Sequence, residues 1–529
     1  MIEPVIDDSV VMPNVLRRWA RTEPDRPFLH EVTGRTATYG ELYELALRWV
    51  AGLRAVGVQP GDRVLTMQLP RIEWFAVWTG LSLLKAVDAG VSTDFHGDML
   101  RYVLAKAEAE LIIVEPEFVD RLTPEVVTGS RLRTVIVTGR CEPVPGLATV
   151  FVDDFLPAPA DASGIAPVEL RDTAAMILTS GTTGPSKYVI TPWGTLYTGA
   201  GAMVPPSDAR PDDVSYQPLP VYHLAARFSI YAMVLVGGQV VLRDHLSISE
   251  FWTDVARYRA TVTNVSPFAR LLLAAPARDD DADNTLRTVM LAPRAPAKVF
   301  GERFGVNVCT GFGMSETGVP IVAGFDANLA TSGKPRSGWP GFEMRVVDGD
   351  DYEVPVGEVG ELIVRSSQPW ALMQGYYGDP AATAKAWRNG WLHTGDAFRC
   401  DDEGYLYFVD RLKDSLRRRN QNISSFEVEA SVNGHPEVAE SAAVGVPVPD
   451  EEDELLVVVV PCDPGSPPAP EELYGYFREK LPRFMLPRYI RFLPELPKTP
   501  ATGRVQKVLL RTAGVTGDTW DREAAGMPR

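Results

Sequence analysis

The ten residues Leu178–Lys187 (LTSGTTGPSK) constrain this chain more than any other stretch, because two glycines, five hydroxyls and a lysine follow directly on the apolar run Thr173–Leu178. A short apolar run bounded by turn residues predicts a buried strand. The loop after it is therefore expected to leave a sheet edge. Gly181 and Gly184 let backbone amides approach an anion closely, while Thr179, Ser180, Thr182, Thr183 and Ser186 add hydroxyl donors and Lys187 a point charge. The composition reads as a phosphate cradle, with a solvated Ser/Thr/Gly turn as the plain alternative. Its spacing is not the G-x-x-x-x-G-K-[ST] of a P-loop, and Tyr188–Pro192 is β-branched and ends in proline rather than opening a helix. A Walker-type NTPase is disfavoured.

A chain of 529 residues exceeds what one core can organise, so two or more domains are expected. The net charge of −17 argues against wholesale binding to nucleic acid or an anionic membrane. No apolar stretch reaches the length of a membrane span, and the acidic N-terminus lacks the pattern of a secretion signal, so a cytoplasmic address is expected. Cys141, Cys309, Cys400 and Cys462 are scattered without C-x-x-C spacing, which speaks against a zinc site and a disulfide framework.

From Pro13 to about residue 170, helical patterns such as Tyr39–Trp49 alternate with short apolar runs such as Arg63–Thr66, Leu111–Val114 and Thr134–Val137. Such alternation predicts an α/β fold of layered sheets. The pattern resumes through Gln239–Leu242, Ala260–Thr263 and Thr288–Leu291, and becomes strand-rich from Gly341 to Val364. After Asp414 a compact stretch with its own helix and strand signals reads as a small α+β domain, and the polar, aperiodic segment from Gly514 to Arg529 reads as a mobile tail. The expected division is 1–411, 412–513 and 514–529.

Further motifs follow the loop in order: Gly311–Thr317 (GFGMSET), Gly360–Val364 (GELIV), Trp391–Asp396 (WLHTGD), Asp410–Asp414 (DRLKD) and Leu496–Pro500 (LPKTP). Together with the loop they resemble the adenylate-forming superfamily of acyl- and aryl-CoA synthetases, luciferases and peptide-synthetase adenylation domains, over nearly the whole chain. Arg417–Arg419, Asn422–Glu429 and Glu440–Val446 look most like the carnitine/crotonobetaine-CoA-ligase branch. The resemblance implies a large domain of layered sheets with a β-barrel-like subdomain and a small mobile C-terminal domain. It implies that ATP and Mg²⁺ activate a small-molecule acid as an adenylate, with release of pyrophosphate and transfer to CoA as co-substrate, by a monomer or homodimer. Such chemistry needs phosphate charge neutralised and reactants aligned.

Carried over by the same resemblance, Phe312 stands where a tyrosine usually stacks on adenine, within Gly311, Phe312, Gly313, Met314 and Ser315, and Ser315 is the hydroxyl near the α-phosphate. Ala295 and Pro296 flank the nucleotide. Glu316 matches the magnesium carboxylate, a hard-oxygen ligand suited to that ion, and Thr179 is the second metal-side residue. Asp396 would accept from the ribose hydroxyls, and Arg411 would reach ribose or phosphate. Tyr222, His223 and Gly318 belong to the acyl pocket, with His223 gating the passage between carboxylate and thiol. Arg227, four residues on, either pairs a second anionic group on the substrate or makes a surface salt bridge. Lys413 occupies the hinge position. The basic run containing Arg418 either receives CoA phosphates or is a solvated face.

Three departures from the family pattern stand out. Pro293-Arg294 replaces a Gly-Gly pair, which implies a reshaped acyl pocket with Arg294 adding a cation. Asn420-Gln421 replaces Gly-Glu in the acceptor channel, so a side chain narrows it. Thr502-Gly503-Arg504 carries arginine where the family has its adenylating lysine, a change of geometry as well as of residue. Either Arg504 does that work, or Lys507 is re-registered into it, or the first half-reaction differs. The departures leave two rivals open: an ATP-dependent diazotase that activates nitrite for an aromatic amine, and a degenerate nucleotide-binding homologue without ligase activity.

Overall fold

The computed structural model describes residues 7–156, 164–179, 186–204, 208–266, 268–292, 296–325, 328–329, 331–336, 341–412, 416–418, 421–423, 425–447, 454–481, 483–499 and 504–528. Its contacts divide the chain into two compact units. One comprises Met1–Thr179, Lys187–Met344 and Val364–Leu392, the other Ser180–Ser186, Arg345–Ile363 and His393–Arg529. The position 411–412 falls inside the second unit.

The first unit is α/β, as its alternating patterns require. One sheet has nine strands, of which Pro27–Glu31, Gln239–Leu242, Val214–Gln217, Val262–Asn264, Thr288–Leu291 and Asn307–Met314 run parallel. The other has eight, with Ala148–Phe151, Thr134–Val137, Leu111–Val114, Arg63–Met67, Val87–Gly90 and Thr173–Leu178 parallel in that order. Its far edge turns antiparallel through Tyr188–Pro192 and Gly375–Tyr376. Parallel sheets bury both faces, and one apolar cluster accordingly joins residues of both sheets with the helices Ile72–Leu83, Trp193–Met203 and Leu224–Val236. These three helices are apolar nearly all round, the signature of a helix covered on every side. At the centre Trp74, Trp78 and Trp193 stack with centroid spacings of 5.4 and 5.3 Å.

The second unit contains an antiparallel hairpin, made of the strand Trp391–Cys400 from His393 onward with Leu406–Arg411, and a four-stranded sheet of Val438–Val446, Glu454–Pro461, Tyr489–Phe492 and Trp520–Asp521. The run Leu455–Val459 is continuous in apolar residues because its strand is covered on both faces. Leu455, Val457 and Val459 enter one cluster while Leu456 and Val458 enter the other, the period of two that a pleated strand imposes. Residues 514–528, aperiodic in sequence, are tied to this sheet. Trp520 pairs with Ile490 and donates its indole N–H to Glu471 at 2.8 Å, and the Tyr474 hydroxyl donates to the Pro528 carbonyl at 3.1 Å. No described helix is long and apolar enough to cross a membrane.

Candidate functional site

In the first unit the strands that flank the cradle loop form a hairpin, in which Leu178 pairs with Tyr188 across antiparallel strands. Its neck is closed twice. Thr179 N–H donates to the Lys187 carbonyl at 2.9 Å, and Lys187 N–H donates to the Thr179 hydroxyl at 3.1 Å. Ser180, Gly181, Thr182, Thr183 and Gly184 lie outside the described residues, as do Arg294, Ala295, Lys413 and Asn420. Pro296 caps the helix Ala297–Phe304. Arg418 and Gln421 oppose each other in the short ladder of Leu416–Arg418 with Gln421–Ile423.

The GFGMSET motif forms the end of the strand Asn307–Met314 and the tight return to Gly318–Ala323. The return explains the glycine at 313, where a Cβ would come within 2.3 Å of the Gly318 carbonyl oxygen. Phe312 is buried opposite Ile321, and Ser315 and Glu316 occupy the turn. Glu316 is buried and held from one segment in two ways. Its carbonyl accepts from Met373 N–H at 2.9 Å, and its Oε1 accepts from the Tyr376 hydroxyl at 2.9 Å. The ring of the same tyrosine lies 5.0 Å from the Lys187 ammonium. Lys187 and Glu316, far apart in sequence, thus meet at Tyr376, a residue to which sequence reasoning gave no role. The only local signal was the turn-rich Gly375–Pro380.

Among the described residues no group of three or more His, Cys, Asp or Glu side chains could cage a metal. A single buried carboxylate such as that of Glu316 is nevertheless a fitting protein donor for Mg²⁺, which commonly takes one or two carboxylates and completes its shell with phosphate oxygens and water.

His223 stands at the N-cap of the helix Leu224–Val236, fixed by its N–H to the Pro220 carbonyl at 3.1 Å, with the Tyr222 ring centroid 4.7 Å from its own. Burial pushes the Tyr222 hydroxyl up to about 12, so it is a neutral phenol at physiological pH. Arg227 is neither at the surface nor waiting for a substrate anion. Its Nη1 lies 2.6 Å from Asp88 Oδ2 with both side chains fully buried, and its guanidinium sits 4.8 Å from the Trp78 ring and 5.3 Å from that of Trp74. The Thr66 hydroxyl donates to the other Asp88 oxygen, and Arg227 Nε donates to the Val221 carbonyl at 2.8 Å. The anion that Arg227 pairs is a residue of the neighbouring sheet, and through Val221 the pair holds the turn that carries Tyr222 and His223.

In the second unit Asp396 and Arg411 face each other across the hairpin, with Arg411 Nε 2.7 Å from Asp396 Oδ1. The loop before Asp396 is held by Glu361, the acid of the GELIV motif. One Glu361 oxygen accepts from Gly395 N–H at 2.9 Å and the other contacts His393 Nδ1 at 2.9 Å, while Gly395 itself takes φ +70°. The structure also separates the two candidate cations near the C-terminus. Lys507 contacts Glu429 Oε1 at 2.7 Å and the Ser425 hydroxyl, and Ser425 in turn donates through its N–H and hydroxyl to Asp410 at 2.7 and 2.6 Å. Burial holds the Glu429 carboxyl above its ordinary range, and Lys507 offsets that only in part. Arg504, by contrast, is exposed, its backbone pinned to Thr499 by hydrogen bonds of 2.8 and 3.3 Å.

The family model described as AMP-binding enzyme matches residues 16–377, and that described as AMP-binding enzyme C-terminal domain matches residues 427–502. A crotonobetaine/carnitine–CoA ligase of Proteus mirabilis (strain HI4320) is 30% identical over 484 residues, covering 89% of this chain and 92% of that protein. Among solved structures, ATP-bound MatB from Rhodopseudomonas palustris is 25% identical with a TM-score of 0.82, covering 95% of this chain and 98% of its own. The amide bond synthetase McbA from Marinactinospora thermotolerans is likewise 25% identical, with a TM-score of 0.78 and coverages of 95% and 99%.

Proposed function

Because the chain belongs to the AMP-binding enzyme family, among acyl- and aryl-CoA ligases, we propose that it activates a small carboxylic acid with ATP, releases pyrophosphate and passes the acyl-adenylate to CoA. The observation that carries this reading is the meeting of Lys187 and Glu316 at Tyr376 beside the neck of the cradle loop. A fixed cation and a fixed carboxylate are what a polyphosphate with its counter-ion requires at the moment charge moves toward the leaving group. A bound Mg²⁺, held by Glu316 with Thr179 beside it, would supply neutralisation of phosphate charge.

The chain's own residues take the remaining roles. Lys187 and the loop hydroxyls grip the phosphates, Phe312 flanks the base, and Ser315 lies at the α-phosphate side. Asp396 accepts from the ribose hydroxyls with Arg411 orienting it. His223 and Tyr222 line the acid's approach. Arg504 provides a cation for the adenylation step. The named relatives include a crotonobetaine/carnitine–CoA ligase and an amide bond synthetase, and the nitrite-activating alternative draws no support from them.

The test is release of AMP and pyrophosphate over a panel of aliphatic and aromatic acids, with and without CoA, and with nitrite plus an aminobenzoate. The expected result is acid-dependent AMP, with a thioester formed when CoA is present. AMP that depends on nitrite and on no carboxylic acid would overturn it. A second expectation concerns Glu361, which acts through the Thr394–Asp396 loop. Removing a charged acceptor from the Gly395 amide costs about 1.5–3 kcal/mol, so Glu361→Ala should raise the KM for ATP about tenfold while leaving the KM for the acid in place. Initial-rate kinetics with ATP varied check this, and an unchanged ATP KM would contradict it.

A further inference from the structure

We infer that Tyr376 is a positioning residue for adenylation, setting the phosphate-side ammonium and the metal-side carboxylate in register; the inference rests on the function proposed above. Three observations on one short segment carry it. First, the backbone of Tyr376 is clamped. It lies opposite Val189 in the two-residue strand Gly375–Tyr376, and its N–H donates to the Thr383 hydroxyl at 2.9 Å. On either side, Gln374 N–H donates to the Ile190 carbonyl at 3.0 Å and Tyr377 N–H to the Tyr188 carbonyl at 2.9 Å. Lys187 directly precedes Tyr188, so the sheet ladder itself places the tyrosine ring beside the lysine.

Second, the ring holds the Lys187 ammonium at 5.0 Å from its centroid, within range of a cation–π attraction. Third, the hydroxyl donates to Glu316 Oε1 at 2.9 Å while Met373, three residues earlier, holds the Glu316 carbonyl. A hydrogen bond to an ionised carboxylate is stronger and more directional than a neutral one. One side chain therefore gives two oppositely charged groups a neutral partner each. The ammonium is presented toward phosphate and the carboxylate toward the cation, in positions fixed before the nucleotide arrives.

Tyr376→Phe keeps the ring and removes the hydroxyl, and Tyr376→Leu removes both. The measurements are calorimetric titration of ATP into each protein with EDTA and with Mg²⁺, adenylation rate against Mg²⁺ concentration, and the melting temperature. Tyr376→Phe should bind ATP in EDTA as the wild type does but need about tenfold more Mg²⁺ for half-maximal adenylation, the loss of one charged hydrogen bond. Tyr376→Leu should in addition bind ATP about threefold more weakly in EDTA, from the lost cation–π contact. Wild-type Mg²⁺ dependence in Tyr376→Phe would overturn the inference, as would weakening in both variants that only follows a fall in melting temperature. The binding titrations read Tyr376 even if no acid yields AMP, so a failure of the proposed reaction and a failure of this inference give different results.

Discussion

Arg227→Met is expected to cost the fold about 3–5 kcal/mol, the usual loss when one member of a buried ion pair is removed and the other is left uncompensated. The residue left behind would be Asp88, fully buried on the strand Val87–Gly90 with the Thr66 hydroxyl still donating to it. Nothing about the apolar stem explains so large a loss, since methionine retains it. The double variant Asp88→Asn with Arg227→Met removes both charges and keeps an oxygen for Thr66, so most of the stability should return. Urea unfolding of the wild type, the single variant and the double variant gives the three numbers needed. A single variant within about 1 kcal/mol of wild type, as for an exposed pair, would contradict the assignment. The double variant should still bind the acid more weakly than wild type, because Arg227 Nε no longer donates to Val221 and the turn carrying His223 loses its anchor.

Arg504→Ala should lower adenylation about 100-fold, the scale of removing one donor aimed at transition-state charge, with a stability loss of no more than about 0.5 kcal/mol, as for an exposed side chain. Arg504 is exposed. Lys507→Ala should behave in the opposite way. Its ammonium is engaged by Glu429 and Ser425, so losing it leaves a partly buried carboxylate without its cation at a cost of about 1–3 kcal/mol, while the folded enzyme adenylates close to the wild-type rate. Acid-dependent pyrophosphate exchange and thermal unfolding, measured on both variants, separate the two. If Lys507→Ala abolished exchange in a folded protein and Arg504→Ala did not, the roles would be exchanged. Arg504→Lys should recover much of the lost rate because it retains the charge at an exposed position.

Much of the architecture is legible in the chain. The alternation of short apolar runs with helical patterns names the α/β class, and the β-branched Tyr188–Pro192 rules out the helix of a P-loop; in the structure it is the second strand of a hairpin. The all-apolar run at Leu455–Val459 is a central strand for the reason its composition indicates, having apolar cover on both faces. The ordered motifs point to the family that the comparisons identify.

Side-chain partnerships were not legible. Arg227 reads from its neighbours as a pocket or surface cation, and only the adjoining strand supplies Asp88. Lys507 and Arg504, three positions apart and similar in charge, look interchangeable until Glu429 and Ser425 are seen to take one of them. Tyr376 sits in a turn-rich segment that suggests nothing beyond a bend, yet the sheet edge carries it to Lys187 and Glu316. The division has a physical cause. Whether a segment becomes strand, helix or anion-binding loop depends on periodicity and composition over a few neighbouring residues, which a linear chain displays. Which charge meets which depends on the order in which strands adjoin, a long-range outcome of packing that local chemistry does not encode.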